Sequence, residues 1–286
     1  MAVSIIIPSY NRAELLKKTL MSVVNQTSSD WECIVVDDMS TDNTKEIVLS
    51  FEQENSQVHY YLNNRKRGAQ GARNTGLYHA QYDWVMFFDS DNIMHPDFVK
   101  TMLDNQSNGI DVLACCSDIL DINSGRTGRI MNPNCNGDVH DELFCGKTYV
   151  DFNQAIIRKA KIHEIGDLDE NCPSMQEWDT HIRLSKVARY SMIEDVLIDY
   201  YMGGKDAITS NSQREVIGRL YILNKHLKEW KQKQMRLTKF SFQIYFFINK
   251  NKDEKFKKEK INELKKLVSL LKPRIILCSL WVRIKH

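Results

Sequence analysis

The chain has 286 residues, with 42% hydrophobic and 9% aromatic side chains, enough apolar material for one large domain with an appendage or two small ones. That composition excludes wholesale disorder. The formal net charge of +2 hides an uneven spread: 18 Lys and Arg face 5 Asp and Glu from Lys225 onward, while the first 224 residues carry 21 basic and 32 acidic groups. An acidic body with a basic tail is the pattern this implies.

Val3 to Ile7 reads as a buried strand closed by Pro8, so the opening has the length of a strand rather than of a secretory signal. A helix follows, with Leu16, Leu20 and Val23 on one stripe and Asn11 and Glu14 as its start signal. Trp31 to Val36 is the second strand. After Asp37 and Asp38, the cap-rich Ser40-Thr41-Asp42-Asn43 leads into a helix with Thr44, Ile47, Val48 and Phe51 on one face. Val58 to Leu62 is a third strand, Gly68 to Ala80 a glycine-containing loop that becomes a helix, and Trp84 to Phe88 the fourth strand. Strands and helices alternating at this spacing predict a parallel sheet covered on both faces.

The next stretch is less regular. Ile110 to Cys116 reads as a strand, Asn123 to Asp141 as a long loop, Phe152 to Ile157 as a return to the sheet, Gln176 to Val187 as a helix and Ser191 to Tyr201 as extended chain. Gly203-Gly204-Lys205-Asp206 breaks the pattern. From Val216 the composition becomes helical and Lys-rich, with a dense aromatic run from Phe240 to Ile248. Apolar residues at 261, 264, 268, 271, 275 and 278 keep heptad spacing across Pro273. The predicted division is a domain over 1–215 and a helical tail over 216–286. Seven cysteines without a Cys-x-x-Cys pair fit neither a disulfide framework nor a zinc site; Cys115 and Cys116 are expected in the core of a protein kept in a reducing, cytoplasmic environment.

Chemistry is concentrated where the predicted parallel strands end. Asp37 and Asp38 follow the second strand, and Asp89-Ser90-Asp91 follows the fourth. In an open α/β sheet that edge binds ligands. Two carboxylates separated by one small residue repel each other unless a cation shares them, and the cation suited to them is Mg2+ or Mn2+, which also accepts phosphate oxygens. One such Asp is more often a turn or cap residue; several on one rim point to a site. The histidines show no metal spacing, and His181 is expected at the surface or on the acceptor side. Arg65, Lys66 and Arg67 read as a solvated loop run. Gly71 and Gly76 do not form a dinucleotide fingerprint.

Four segments in order carry a resemblance: Val3-Ser4-Ile5-Ile6-Ile7-Pro8-Ser9-Tyr10-Asn11-Arg12, Val35-Val36-Asp37-Asp38-Met39-Ser40-Thr41-Asp42, Gly71-Ala72-Arg73-Asn74-Thr75-Gly76-Leu77 and Phe87-Phe88-Asp89-Ser90-Asp91. Together they resemble the signatures of family-two inverting glycosyltransferases with the GT-A fold. Gln176-Glu177-Trp178-Asp179 with Arg183-Leu184 resembles that family's acidic catalytic motif, so the likeness spans about residues 1–200. It implies an α/β fold with a Rossmann-like, mixed but mainly parallel sheet, and a nucleotide-diphospho-sugar donor, a UDP-sugar first among them. It further implies a glycan or lipid-linked saccharide acceptor in bacterial surface polysaccharide synthesis.

Carried onto this chain, the resemblance has Pro8, Tyr10 and Arg12 line the nucleotide pocket, with the Tyr10 ring against the base. Asp38 accepts a ring N–H of a uracil-like base, while Asp37 supports the loop. Arg73 lies near the base or diphosphate, Asp89 contacts the ribose and the metal shell, and Asp91 coordinates the metal. Glu177 holds the slot of the general base, with Asp179 the alternative; two apart on a helix, only one of them faces a cleft. Asn92 stands where a further acid is common, and Gln81-Tyr82 where a Gly is common.

Two other classes compete with this reading: a non-catalytic GT-A scaffold that binds nucleotide or glycan, and a nucleotidyltransferase, which would want a Gly-rich loop where Pro8-Ser9-Tyr10-Asn11 stands. For the tail, packing on the catalytic domain or homodimerisation competes with peripheral binding to an anionic membrane, on the inner face of the plasma membrane. Nucleic acid is not an expected partner, given the acidic body and the lack of a motif.

Overall fold

A computed structural model describes residues 1–121, 126–131, 133–202 and 212–271. The Gly203–Asp206 break and the apolar positions beyond Pro273 lie outside the described residues. The chain forms two compact units, Met1–Glu170 with Thr180–Lys205, and Asn171–Asp179 with Asp206–His286.

The first unit is built on a nine-stranded sheet. Its opening third is β1 (Val3–Ser9), α1 (Ala13–Val24), β2 (Trp31–Asp37), α2 (Thr44–Glu54), β3 (Val58–Leu62), α3 (Ala69–His79) and β4 (Trp84–Phe87). β1 lies between β2 and β4, and β2 pairs with β3, all in parallel. β1, β2 and β4 are buried on both faces, so their side chains alternate between two cores. Val3, Ile5 and Ile7 of β1 join Leu16, Leu20 and Val23 of α1 on one side. Ile6 of β1, Ile34 and Val36 of β2 and Val85 and Phe87 of β4 join Ala72 and Leu77 of α3 on the other. That period of two is what a covered parallel sheet requires.

The glycines of α3 have a packing cause. A Cβ at Gly76 would sit 2.3 Å from Ile6 Cγ2 on β1, and one at Gly71 would sit 1.8 Å from the Lys66 carbonyl oxygen. The helix therefore lies closer to the sheet and to the loop before it than any larger residue permits.

Beyond β4 come β5 (Ile93–Met94), α4 (Phe98–Asp104), β6 (Val112–Asp121), β7 (Arg126–Met131), α5 (His140–Phe144), a 3-10 turn (Phe152–Gln154), β8 (Ala155–Arg158), α6 (Lys159–Glu164), α7 (Gln176–Leu184) and β9 (Tyr190–Met202). The sheet order is β3-β2-β1-β4-β8-β6-β9-β5, with β7 on β6. β8 runs antiparallel to both β4 and β6, β6 runs parallel to β9, and β5 antiparallel to β9. The sheet is thus mixed and not parallel throughout, as the mixed fold class anticipates. The long loop expected from Asn123 to Asp141 is corrected: Arg126–Met131 pairs antiparallel with β6, and α5 begins at His140. Gly, Asn and Arg conceal a strand when it is a polar hairpin arm at the margin of a sheet.

The second unit is helical: α8 (Ser212–Lys225), α9 (Leu227–Gln232), α10 (Gln234–Lys250) and α11 (Glu254–Leu271), together with the start of α7. Its core holds Leu220, Leu223, Leu237, Ile244, Ile248 and Leu264. Trp230 stacks on Phe240 with centroids 4.7 Å apart, and Trp178 meets the same ring edge-on at 5.3 Å. Among the described residues no helix is long and apolar enough to cross a membrane.

Candidate active site

The ends of β1, β2 and β4 and the loops after them gather the predicted nucleotide-site residues on one rim of the first unit. Ser9 pairs in register with Asp37, and β4 ends on Phe87 opposite Ile6, so Asp89 to Asp91 leave the sheet at that edge.

Two loops interlock there. Asn11 adopts φ of 50°, a left-handed conformation that Asn tolerates better than most side chains. Its N–H donates to Ser40 Oγ at 2.9 Å, and its Oδ1 accepts the Thr41 N–H at 2.7 Å. Asp42 Oδ2 accepts the Ala13 N–H at 3.0 Å, so the N-terminus of α1 is capped from the neighbouring loop. Asp37 fixes that loop: its carboxylate accepts the Ser40 N–H at 2.8 Å and the Tyr60 hydroxyl at 2.9 Å.

Asp38 is buried and held from two sides. Asn63 Nδ2 donates to one oxygen at 2.6 Å and the Gly68 N–H to the other at 2.8 Å. Gly68 has φ of 119°, which only glycine adopts without strain, and this turns its N–H onto Asp38. The carboxylate keeps lone pairs for a further donor, but its orientation is set by the protein. Tyr10 stands half exposed beside it, with the Arg67 guanidinium 5.5 Å from the ring centroid.

Asp89 is tied to buried Arg73, whose Nη2 donates to Oδ1 at 2.7 Å, and to Asn153, whose Nδ2 donates to Oδ2 at 3.0 Å. Asn153 also accepts the Asp89 N–H at 2.7 Å and is held by Asp151. Arg73 therefore reaches the rim through Asp89; its second nitrogen is engaged by Gln70 at 2.9 Å. Asp91 forms an ion pair with Arg12. Burial, and then the like charge of Asp89, push the Asp91 carboxyl above the usual range, with Arg12 opposing. Asn92, where a further acid is common, is buried and accepts the Tyr201 N–H at 3.0 Å, so this position serves the fold.

Glu177 and Asp179 belong to the second unit. Their environments differ, as two positions apart on a helix demand. Glu177 is half-buried. Asp179 is fully buried, with Lys225 Nζ at 2.8 Å from one oxygen and His226 Nε2 at 3.1 Å from the other. The expectation for His181 is corrected: it is buried in the first unit, its Nδ1 is 2.9 Å from the Tyr190 hydroxyl, and burial pushes its pKa down to about 3. A neutral core histidine satisfies the apolar position of α7 at which it falls.

Sequence reasoning did not find Asn63, Asn153 and Asp151, which orient Asp38 and Asp89. Asn63 had a signal, a polar residue at the point where a strand's apolar run stops. Arg67 is exposed, as a solvated run predicts, yet it lies over Tyr10 and its Nη2 approaches the Asp38 carbonyl at 3.4 Å.

A rim of oriented carboxylates at the carboxyl ends of parallel strands lies where open α/β sheets bind their ligands. The sequence profile of Glycosyl transferase family 2 matches residues 4–166, and the chain belongs to that family. It is 36% identical over 107 residues to a GalNAc(5)-diNAcBac-PP-undecaprenol beta-1,3-glucosyltransferase of Campylobacter jejuni, covering 37% of this chain and 35% of that protein. It is 44% identical over 91 residues to the Escherichia coli UDP-Glc:alpha-D-GlcNAc-diphosphoundecaprenol beta-1,3-glucosyltransferase WfgD, covering 32% and 35%. These matches span about a third of the relatives' own length. The crystal structure of S. aureus TarS 1-349 in complex with UDP-GlcNAc superposes with a TM-score of 0.72 at 19% identity, over 95% of this chain and 82% of that one, and shares the GT-A fold.

Proposed function

We propose that this glycosyltransferase moves a sugar, with inversion, from a UDP-sugar to a hydroxyl of a glycan or lipid-linked saccharide in bacterial surface polysaccharide synthesis, assisted by Mn2+ or Mg2+. The observation that carries the reading is the pair Asp89 and Asp91. Asp89 is oriented by Arg73 and Asn153, and the ionisation of Asp91 is disfavoured first by burial and then by the charge of Asp89, with Arg12 opposing both. Such a pair suits a hard cation, whose charge offsets both the burial and the repulsion. Among the described residues no group of three or more His, Cys, Asp or Glu side chains could hold an ion. Mg2+ binds through one or two carboxylates and completes its shell with water and substrate phosphates.

Asp91 and Asp89 would hold the ion, which supplies Lewis-acid stabilisation of the charge on a departing nucleoside diphosphate. Pinned Asp38 would accept the ring N–H of the base, Tyr10 would stack on it, and Pro8 and Arg12 would line the remaining pocket wall. The UDP-Glc for which WfgD is named and the UDP-GlcNAc in the TarS complex support the uridine reading. Glu177 would take the acceptor hydroxyl's proton. Asp179 suits that task less, because one of its oxygens faces the Lys225 ammonium and the other the His226 ring in a fully buried setting. Residues 1–215 would form the catalytic domain and residues 216–286 the appended helical tail.

The test is UDP release from a panel of UDP-sugars with acceptor, with and without Mn2+. Asp91→Ala should lower metal-dependent turnover about 10²-fold or more, with an unchanged melting temperature. Turnover within threefold of wild type would remove Asp91 from the metal site.

A further inference from the structure

Helix α10 is apolar on two faces, and packing inside its own unit accounts for only one. Leu237, Phe240, Ile244 and Ile248 are buried. On the opposite side, Lys239, Phe242, Phe246 and Lys250 follow spacings of three, four and four, which places them in a single stripe. Phe242 is 44% exposed and Phe246 48%. The neighbouring Phe247 shows what a covered ring looks like here: it is half-buried, with Arg219 of α8 4.7 Å from its centroid. Lys250 lies at the edge of the stripe with Nζ 4.4 Å from the Phe246 centroid, so cation and ring form one amphipathic unit. The stripe runs about 16 Å along the helix.

The surroundings share its sign. From residue 234 to 271 there are ten Lys and Arg against four Asp and Glu. Two acidic side chains of α11, Glu254 and Glu263, are themselves matched by Lys257 and Lys260. Exposed aromatic rings bracketed by lysines on a cationic body suit a surface that takes rings at its apolar margin and ammonium groups among its phosphates.

We infer that the Lys239–Phe242–Phe246–Lys250 stripe of α10 is a docking face for an anionic lipid bilayer, with the helix lying along the surface. The rings enter the boundary between headgroups and acyl chains, and the lysines engage anionic headgroups. This goes beyond the transfer reaction and is read without donor or acceptor, so its failure leaves the proposed chemistry standing.

The experiment is co-sedimentation of the full chain with vesicles of phosphatidylcholine alone or mixed with 30% phosphatidylglycerol. The expected result is partition onto the anionic vesicles only, falling as salt rises from 0.1 to 0.5 M. F242S/F246S and, separately, K239E/K250E should each weaken partition by about tenfold or more. All four side chains lie on the exposed side of the helix, so both variants should keep the wild-type melting temperature, and the lysine pair serves if the phenylalanine pair does not. Absence of binding to anionic vesicles would overturn the inference, as would binding by both variants within twofold of wild type. Light scattering provides a further arm: a wild-type dimer that F242S/F246S converts to a monomer would assign the stripe to a second copy of the chain instead.

Discussion

Asp91 has a cation already, and it is Arg12. An ion binding at Asp91 therefore competes with a guanidinium for the same carboxylate, and the outcome depends on which charge sits better beside Asp89. Removing Arg12 leaves two carboxylates facing each other with less compensation, which favours a divalent ion. Arg12→Ala should raise the affinity of the protein for Mn2+ about three- to tenfold, read by electron paramagnetic resonance of free Mn2+ in the absence of donor. Weaker Mn2+ binding would mean that Arg12 supports the site rather than occupying it. The two acids of α7 make a second comparison at this scale. Glu177→Gln keeps the shape of a half-buried side chain and removes its basicity, so transfer should fall about 10²–10⁴-fold at unchanged stability. Asp179→Ala removes the carboxylate that Lys225 and His226 share and leaves a buried hole, and should cost about 3 kcal/mol in urea unfolding. If Asp179→Ala abolishes transfer without loss of stability, the two roles are exchanged.

At the scale of elements, the parts of the chain that read correctly are those whose packing leaves a periodic trace. β1, β2 and β4 are covered on both faces, so each is a short uninterrupted apolar run, and α1 shows its buried stripe at Leu16, Leu20 and Val23. Gly71 and Gly76 were visible as part of a motif, but their cause is visible only in three dimensions, since the atoms that exclude a Cβ come from Lys66 and from Ile6. β7 left no apolar run because it opens on Arg, Thr, Gly and Arg, and its pairing lies with β6. The antiparallel insertion of β8 between β4 and β6 is likewise a matter of long-range pairing, which no local pattern encodes. The candidate site divides in the same way. Asp38, Asp89 and Asp91 announce themselves by standing where apolar runs stop. Asn63, whose one signal is its place at the end of an apolar run, and Asn153, which falls in a stretch read as strand, are seen to aim them only when 25 and 64 residues of separation collapse to hydrogen-bond distance.

At the scale of the whole molecule, the buried histidine sets a pH dependence. The folded-state pKa of His181 is about 3, against about 6.5 for an unfolded chain, so below pH 6.5 the unfolded state takes up a proton that the folded state refuses. Stability is therefore fully present above about pH 6.5 and is lost as pH falls toward 3, at about 1.4 kcal/mol per pH unit. Other groups contribute as well: burial also holds the His79 pKa below the usual histidine range, which acts in the same sense as His181 and cancels in a difference measurement, while the shifted carboxyls act elsewhere. Burial would raise the Asp42 carboxyl, but hydrogen bonds from Thr44 and Ala13 outweigh it and hold it low, so its contribution fails only below the usual carboxylate range. Asp91, held above that range, works in the opposite sense. A difference measurement cancels both. Replacing His181 alone would strand the buried Tyr190 hydroxyl, so the comparison is His181→Phe combined with Tyr190→Phe, which removes donor and acceptor together. Urea unfolding at pH 7, 6 and 5 should show wild type losing about 1–2 kcal/mol more than the double variant between the ends of that series. Parallel losses in the two proteins would place the acid sensitivity at groups other than His181.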